Sequence, residues 1–188
     1  MKKLTAIVIA SLLPMSISWA ADTEKMTKDS REAIKMLGGE LKATLQASMK
    51  ANGPIESISV CNIEASKIAT RISEEKGLTV GRTSLKNRNV ANKPDAWEQS
   101  VLEQFEKRKA DGESLENMDF SEVVDYEDGK AFRYMKAIPT GDVCMKCHGV
   151  NIAEPLAKKI SSIYPDDKAT GFNKGDIRGA FTVITPIK

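Results

Sequence analysis

Apolar residues recur at helical spacing from Ser30 to about Lys50, where Ile34, Leu37, Leu41, Leu45 and Met49 form one stripe. Gly38-Gly39 interrupts it. The run Asn52 to Pro54 predicts the end of this helix and the start of another, because glycine suits a helix end and proline a first turn. The second stripe is Ile58, Cys61, Ala65, Ile68 and Ile72, and the helix is expected to close at Gly77. The period then changes. Leu78 to Ser84 reads as a short strand, followed by an asparagine-rich loop. A third helix is predicted from Pro94 to about Lys109, with Trp97, Val101 and Phe105 on one face as core residues. Two β-rich runs follow, Phe120 to Glu127 and Lys130 to Ile138, joined by a predicted two-residue Asp128-Gly129 turn. A short helix from Pro155 to Ile163 and a last strand from Gly179 complete the pattern. Helices first, then an antiparallel sheet with a helical insertion, give an α+β plan.

The first twenty residues stand outside this plan. Lys2 and Lys3 precede an apolar run that is too short to span a bilayer and that ends in small residues at Ser18 and Ala20. The expectation is a secretory signal peptide over residues 1–20, cut before Ala21, and a soluble periplasmic protein. Loss of Lys2 and Lys3 takes the formal charge from +2 to 0. No basic block remains, so nucleic-acid binding has no electrostatic footprint. Residues 21–188 suit one domain, with no internal repeat and no room for a kinase or DNA-binding output unit.

The chain holds one histidine and three cysteines, and three of these four residues fall in the stretch VCMKCHG. Cys144, Cys147 and His148 match the C-x-x-C-H pattern of covalent c-type haem attachment. Two thiols on one turn can reach the two vinyl groups of a porphyrin, and the next residue brings its imidazole under the iron. A thioredoxin-like redox pair lacks its surrounding pattern, and a zinc site lacks a second familiar cluster of ligands. One covalent haem c is therefore expected, with Cys144 and Cys147 as thioethers and His148 as an axial ligand.

A single histidine excludes bis-histidine ligation within the chain. Methionine, cysteine, lysine, water or no ligand at all could complete the iron's coordination. Cys61 is the odd cysteine. On its apolar stripe it reads equally as a buried, inert residue. Arg82, Lys86 and Arg88 are candidates for pairing with haem propionates, or else form a solvated loop edge. Tyr134 and Met135 lead toward the motif, and either could touch the porphyrin face. The stretch YPDDKATGF lacks calcium-loop spacing and reads as a plain turn.

The blocks SVCNIEASKIA, GRTSLKNRNVANKPDAWE, YMKAIPT, CMKCHG and GDIRGAF together resemble the exported c-type haem proteins with a PAS-like fold, which also serve as sensor regions of bacterial receptors. The resemblance runs from Pro54 to the C-terminus, although Val90 stands where the family usually has proline. It implies a PAS-like domain with about five antiparallel strands and the haem motif inserted near the C-terminal part. It also makes Cys61 the second axial ligand to the iron. A thiolate is a soft, charged donor that stabilises ferric iron. The expected function is a redox- or gas-responsive cytochrome that binds NO, CO or O2 and signals through a partner protein. A soluble periplasmic electron-transfer cytochrome is the alternative. An enzyme is not expected, since no second histidine can serve as a distal acid–base group.

Overall fold

The computed structural model describes residues 16–127 and 129–187. Most of the expected signal peptide, residues 1–15, and Asp128 lie outside these. Helix α1 (Ser16–Glu56) begins before the expected cleavage point and runs well past the stripe that predicts it, with a kink at Gly53 followed by Pro54. Ser57 stabilises the kink. Its backbone N–H and its hydroxyl both donate to the Gly53 carbonyl, at 3.4 Å and 2.7 Å. The chain then enters a single π-helical turn, Val60–Glu64, before α2 (Ala65–Lys76), which Gly77 closes in the left-handed conformation.

Strand β1 (Thr79–Thr83), helix α3 (Ala96–Ala110), strands β2 (Asp119–Tyr126) and β3 (Gly129–Pro139), helices α4 (Asp142–His148) and α5 (Glu154–Ile163), and strand β4 (Ile177–Ile187) follow. Asp95 caps α3 through a reciprocal pair of bonds with Glu98, so this helix starts just after Pro94 rather than on it. The described residues form one antiparallel sheet of four strands, not five, in the order β1-β4-β3-β2. The hairpin turn is also one residue earlier than predicted. Gly129 pairs with Tyr126 and so belongs to the strand, and Glu127 takes a positive φ of 48°.

One face of the sheet packs against α1 and α2. Leu37, Ile72, Phe132, Tyr134 and Val183 are almost wholly buried there. A second cluster forms under α3, where Phe105, Leu102, Met118 and Met135 exclude water. Trp97 and Phe105 therefore belong to the packing of α3, as their spacing predicts. Arg133 of β3 is buried at 4% exposure beneath Trp97, its guanidinium 4.3 Å from the ring centroid. It is ion-paired with Asp95 at 2.7 Å and Glu98 at 3.3 Å. Among the described residues no helix is long and apolar enough to cross a membrane.

Candidate functional site

Helix α4 is short because its boundaries are fixed from both sides. Thr140, 1% exposed, bonds through its N–H to the Asp176 carbonyl at 2.7 Å, and the Gly149 N–H closes the helix on Met145 at 3.0 Å. One turn separates Cys144 from Cys147, and His148 is the last helical residue. The His148 ring is oriented by two contacts. Its Nδ1 lies 2.7 Å from the Ala169 carbonyl, and its ring meets that of Phe172 edge-on at 6.3 Å. A carbonyl can only accept, so Nδ1 carries the proton and Nε2 keeps its lone pair for a ligand. Burial, and after it the nearby Arg178 and Arg88 charges, push the ring pKa down to about 2. The imidazole is therefore neutral and available as a donor at ordinary pH.

Segment 164–173, which holds the stretch that reads as a plain turn, is laced to the motif. Phe172 N–H donates to His148 O at 3.0 Å, Gly171 N–H to Gly149 O at 3.1 Å, and Lys168 N–H to Asn87 O at 3.1 Å. This is how a loop without a metal-binding pattern comes to support the only histidine.

Cys61 sits on the opposite wall, in the π-turn. The extra residue of such a turn breaks the α-helical register, and π-turns are frequent at functional sites. Ala65, Ile68 and Ile72 face the core, whereas Cys61 is half-buried and lines a cavity. Cys61 is thus at the cavity wall and not inside the core. Tyr164 borders the same space, and burial, then the neighbouring Cys61, push its hydroxyl pKa up to about 12.

The cavity has a volume of about 430 Å³ and lies between α1, the π-turn, the ends of β1 and β4, and α4. All three cysteines and the single histidine line it. Its walls are otherwise largely apolar, with Leu41, Leu45 and Met49 of α1 facing Phe181 of β4. Here the Gly38-Gly39 interruption finds its reason. A side chain at Gly38 would place its Cβ 2.9 Å from the Phe181 ring, so glycine lets that ring lie against the helix. Among the described residues, no three histidine, cysteine or acidic side chains come close enough to hold a single metal ion. The four donors surround a space instead of converging on a point.

Three arginines border the cavity in different states. The Arg82 guanidinium on β1 makes no hydrogen bond or ion pair with any described residue, and burial lowers its pKa from the usual guanidinium range. Arg178 of β4 donates only long bonds, at 3.2 Å to Ser84 Oγ and 3.3 Å to Lys86 O, and burial and the other arginines bring it down to about 10. These are cations in want of an anion. Arg88 is already engaged with Cys147, Ala169 and Asp167. Lys86 lies outside the cavity lining, its ammonium 5.2 Å from the Phe172 centroid. Tyr134 and Met135 are buried in the two core clusters, and neither reaches the cavity. Arg178 was the residue that spacing missed, although it lies inside the block GDIRGAF.

The model of the family described as Tll0287-like matches residues 15–186 of the chain. The chain belongs to the Tll0287-like family. Among solved structures, the crystal structure of the cyanobacterial heme-protein Tll0287 matches this member of the Tll0287-like family with a TM-score of 0.62. The match covers 89% of this chain and 96% of that one, at 24% sequence identity, and shows a shared fold. That fold is the α+β, PAS-like architecture expected from the sequence blocks, with the C-x-x-C-H segment between the last two strands. No curated protein sequence matches the chain.

Proposed function

We propose that this chain is an exported cytochrome carrying one haem c, attached through Cys144 and Cys147 and held axially by His148 and Cys61. We further propose that it senses redox state or a diatomic gas and reports to a partner protein. The observation that carries the reading is the meeting of all three cysteines and the only histidine around one apolar cavity. Four donors spread around about 430 Å³ suit a flat macrocycle better than a bare ion, and the volume falls in the range of cofactor sites. Arg82 and Arg178 offer the charges that two propionates need. The solved relative's description as a heme-protein agrees with this chemistry. The group, when bound, supplies a one-electron couple and an iron that takes small axial ligands.

The chain's own residues favour sensing over simple electron carriage because the two walls are built differently. His148 is fixed by its bond to Ala169 and by backbone bonds to a laced loop. Cys61 rides on a single π-turn just beyond a helix kink, where the regular helical register is already broken. Release of one ligand should therefore be release of Cys61, with a change in helix register as the signal. Export rests on the Lys2-Lys3 segment and its apolar run. No second histidine offers acid–base chemistry, so catalysis is not part of the proposal.

The test is expression in a host that attaches haem to exported proteins. The intact chain should gain the mass of one haem, retained through denaturation, and give a c-type pyridine haemochrome. The Cys144→Ala/Cys147→Ala protein should lose the covalent mass and release any haem into acidified organic solvent. An intact chain that carries no covalent haem would overturn the proposal. A redox titration under carbon monoxide then separates the two roles. Gas binding that begins on reduction, with loss of the thiolate signature, supports sensing. Reversible cycling without gas binding supports an electron carrier.

A further inference from the structure

Arg88 differs from the other cavity arginines because Nη2 of its guanidinium is engaged by backbone carbonyls beside His148. Its side chain is 8% exposed, and Nη2 donates to the carbonyls of Cys147 at 2.6 Å and Ala169 at 3.1 Å. The same nitrogen lies 2.9 Å from Asp167, whose side chain is 10% exposed. Asp167 in turn accepts the N–H of Ala169 at 2.8 Å. The Ala169 carbonyl is the atom that receives His148 Nδ1–H at 2.7 Å. One residue, Ala169, thus carries the imidazole on its carbonyl, and a buried ion pair holds it through both its N–H and its C=O.

We propose that Arg88 and Asp167 are positioning residues that orient His148 and set its donor strength toward the iron, acting through the shared carbonyl of Ala169. The inference rests on the haem reading above. A carbonyl that accepts Nδ1–H pulls the ring toward imidazolate character and makes Nε2 a stronger base. A second, cationic donor on that oxygen occupies part of its lone-pair density and weakens the pull. Arg88 therefore holds the ring nearer to plain imidazole and disfavours the oxidised iron. Asp167 opposes this, since its negative charge offsets the guanidinium at close range. The two partners of one salt bridge should tune the haem in opposite directions.

The experiment is a potentiometric titration of the haem-loaded full chain, with electron paramagnetic resonance of the ferric form as a reading of ring orientation. Arg88→Met should shift the midpoint potential to more negative values, and Asp167→Asn to more positive ones. Both should keep the covalent haem and His148 ligation. Arg88→Lys keeps the charge on a shorter side chain, so its ammonium ends short of the two carbonyls that Nη2 reaches. It should shift the g values with a smaller change in potential, and it carries the test if Arg88→Met does not load haem. Shifts of the same sign in Arg88→Met and Asp167→Asn, or unchanged potential and g values in Arg88→Lys, would overturn the inference while leaving the haem assignment intact. A wild-type chain without covalent haem would instead overturn the haem reading itself.

Discussion

The Cys61→Ala protein is expected to keep its covalent haem, lose its low-spin ferric spectrum and show a midpoint potential raised by on the order of tenths of a volt, within the roughly 0.8 V that axial ligand choice spans. In the proposed ligation the Cys61 thiolate would bring negative charge and soft electron density to the oxidised iron, and alanine would bring neither. Cys144, Cys147 and His148 lie on α4, across the cavity from the π-turn, so attachment should survive the change. Cys61→Met is the informative companion. A neutral sulfur at the same position should restore a low-spin spectrum at a raised potential. A ferric spectrum that does not change in Cys61→Ala would remove this residue from the iron.

The second large effect is on stability and lies away from the cavity. Arg133→Met should destabilise the fold by about 3–5 kcal/mol, the usual cost of leaving a buried partner charge uncompensated. Glu98, only 10% exposed, would lose its counter-charge at 3.3 Å, and Asp95 its contact at 2.7 Å. The Trp97 ring would also lose the cation stacked on it. Denaturant titration of both proteins checks this, and Arg133→Met/Glu98→Gln should lose less than Arg133→Met alone. The pH profile provides a second check. Burial raises the Asp95 pKa, but bonds from Arg133 and the Glu98 N–H outweigh it and hold the carboxyl below its usual range. A carboxyl held low in the fold stabilises fully above its ordinary pKa, and that contribution fades as the pH falls through the lowered value. The Arg133→Met protein should therefore show a shallower acid-side decline. Equal stability of the two proteins would exclude the buried pair as a support of α3.

Much of this architecture is legible in the sequence because it rests on local rules. The stripe Ile34, Leu37, Leu41 does face the core, Gly77 does end α2, and Cys144 and Cys147 do lie a turn apart. What periodicity could not reveal is set by non-local contacts. The π-turn at Cys61 leaves no pattern of its own, because one additional residue in a turn looks like any other helical residue. Arg88 and Arg82 are similar cations six positions apart, yet one is committed to backbone and the other is free in the cavity. That difference is made by the loop around Asp167, more than seventy residues away in sequence. The hairpin illustrates a subtler limit. A glycine after an acidic residue signals a turn, but cross-strand pairing decides where the turn falls, and here it takes Gly129 into the strand.

The sheet order carries a consequence for how the protein reaches its native state. Strand β4, the last strand of the described chain, is an inner strand paired with β1 on one side and β3 on the other. Until Ile177–Ile187 is in place, β1 has no neighbour and the β2–β3 hairpin has an open edge. A lone hairpin is marginal in water, and pairings distant in sequence form late. Folding should therefore finish from the C-terminal end. The segment with the two thiols and the imidazole precedes β4, so it would remain on an open, reachable chain until the closing strand arrives.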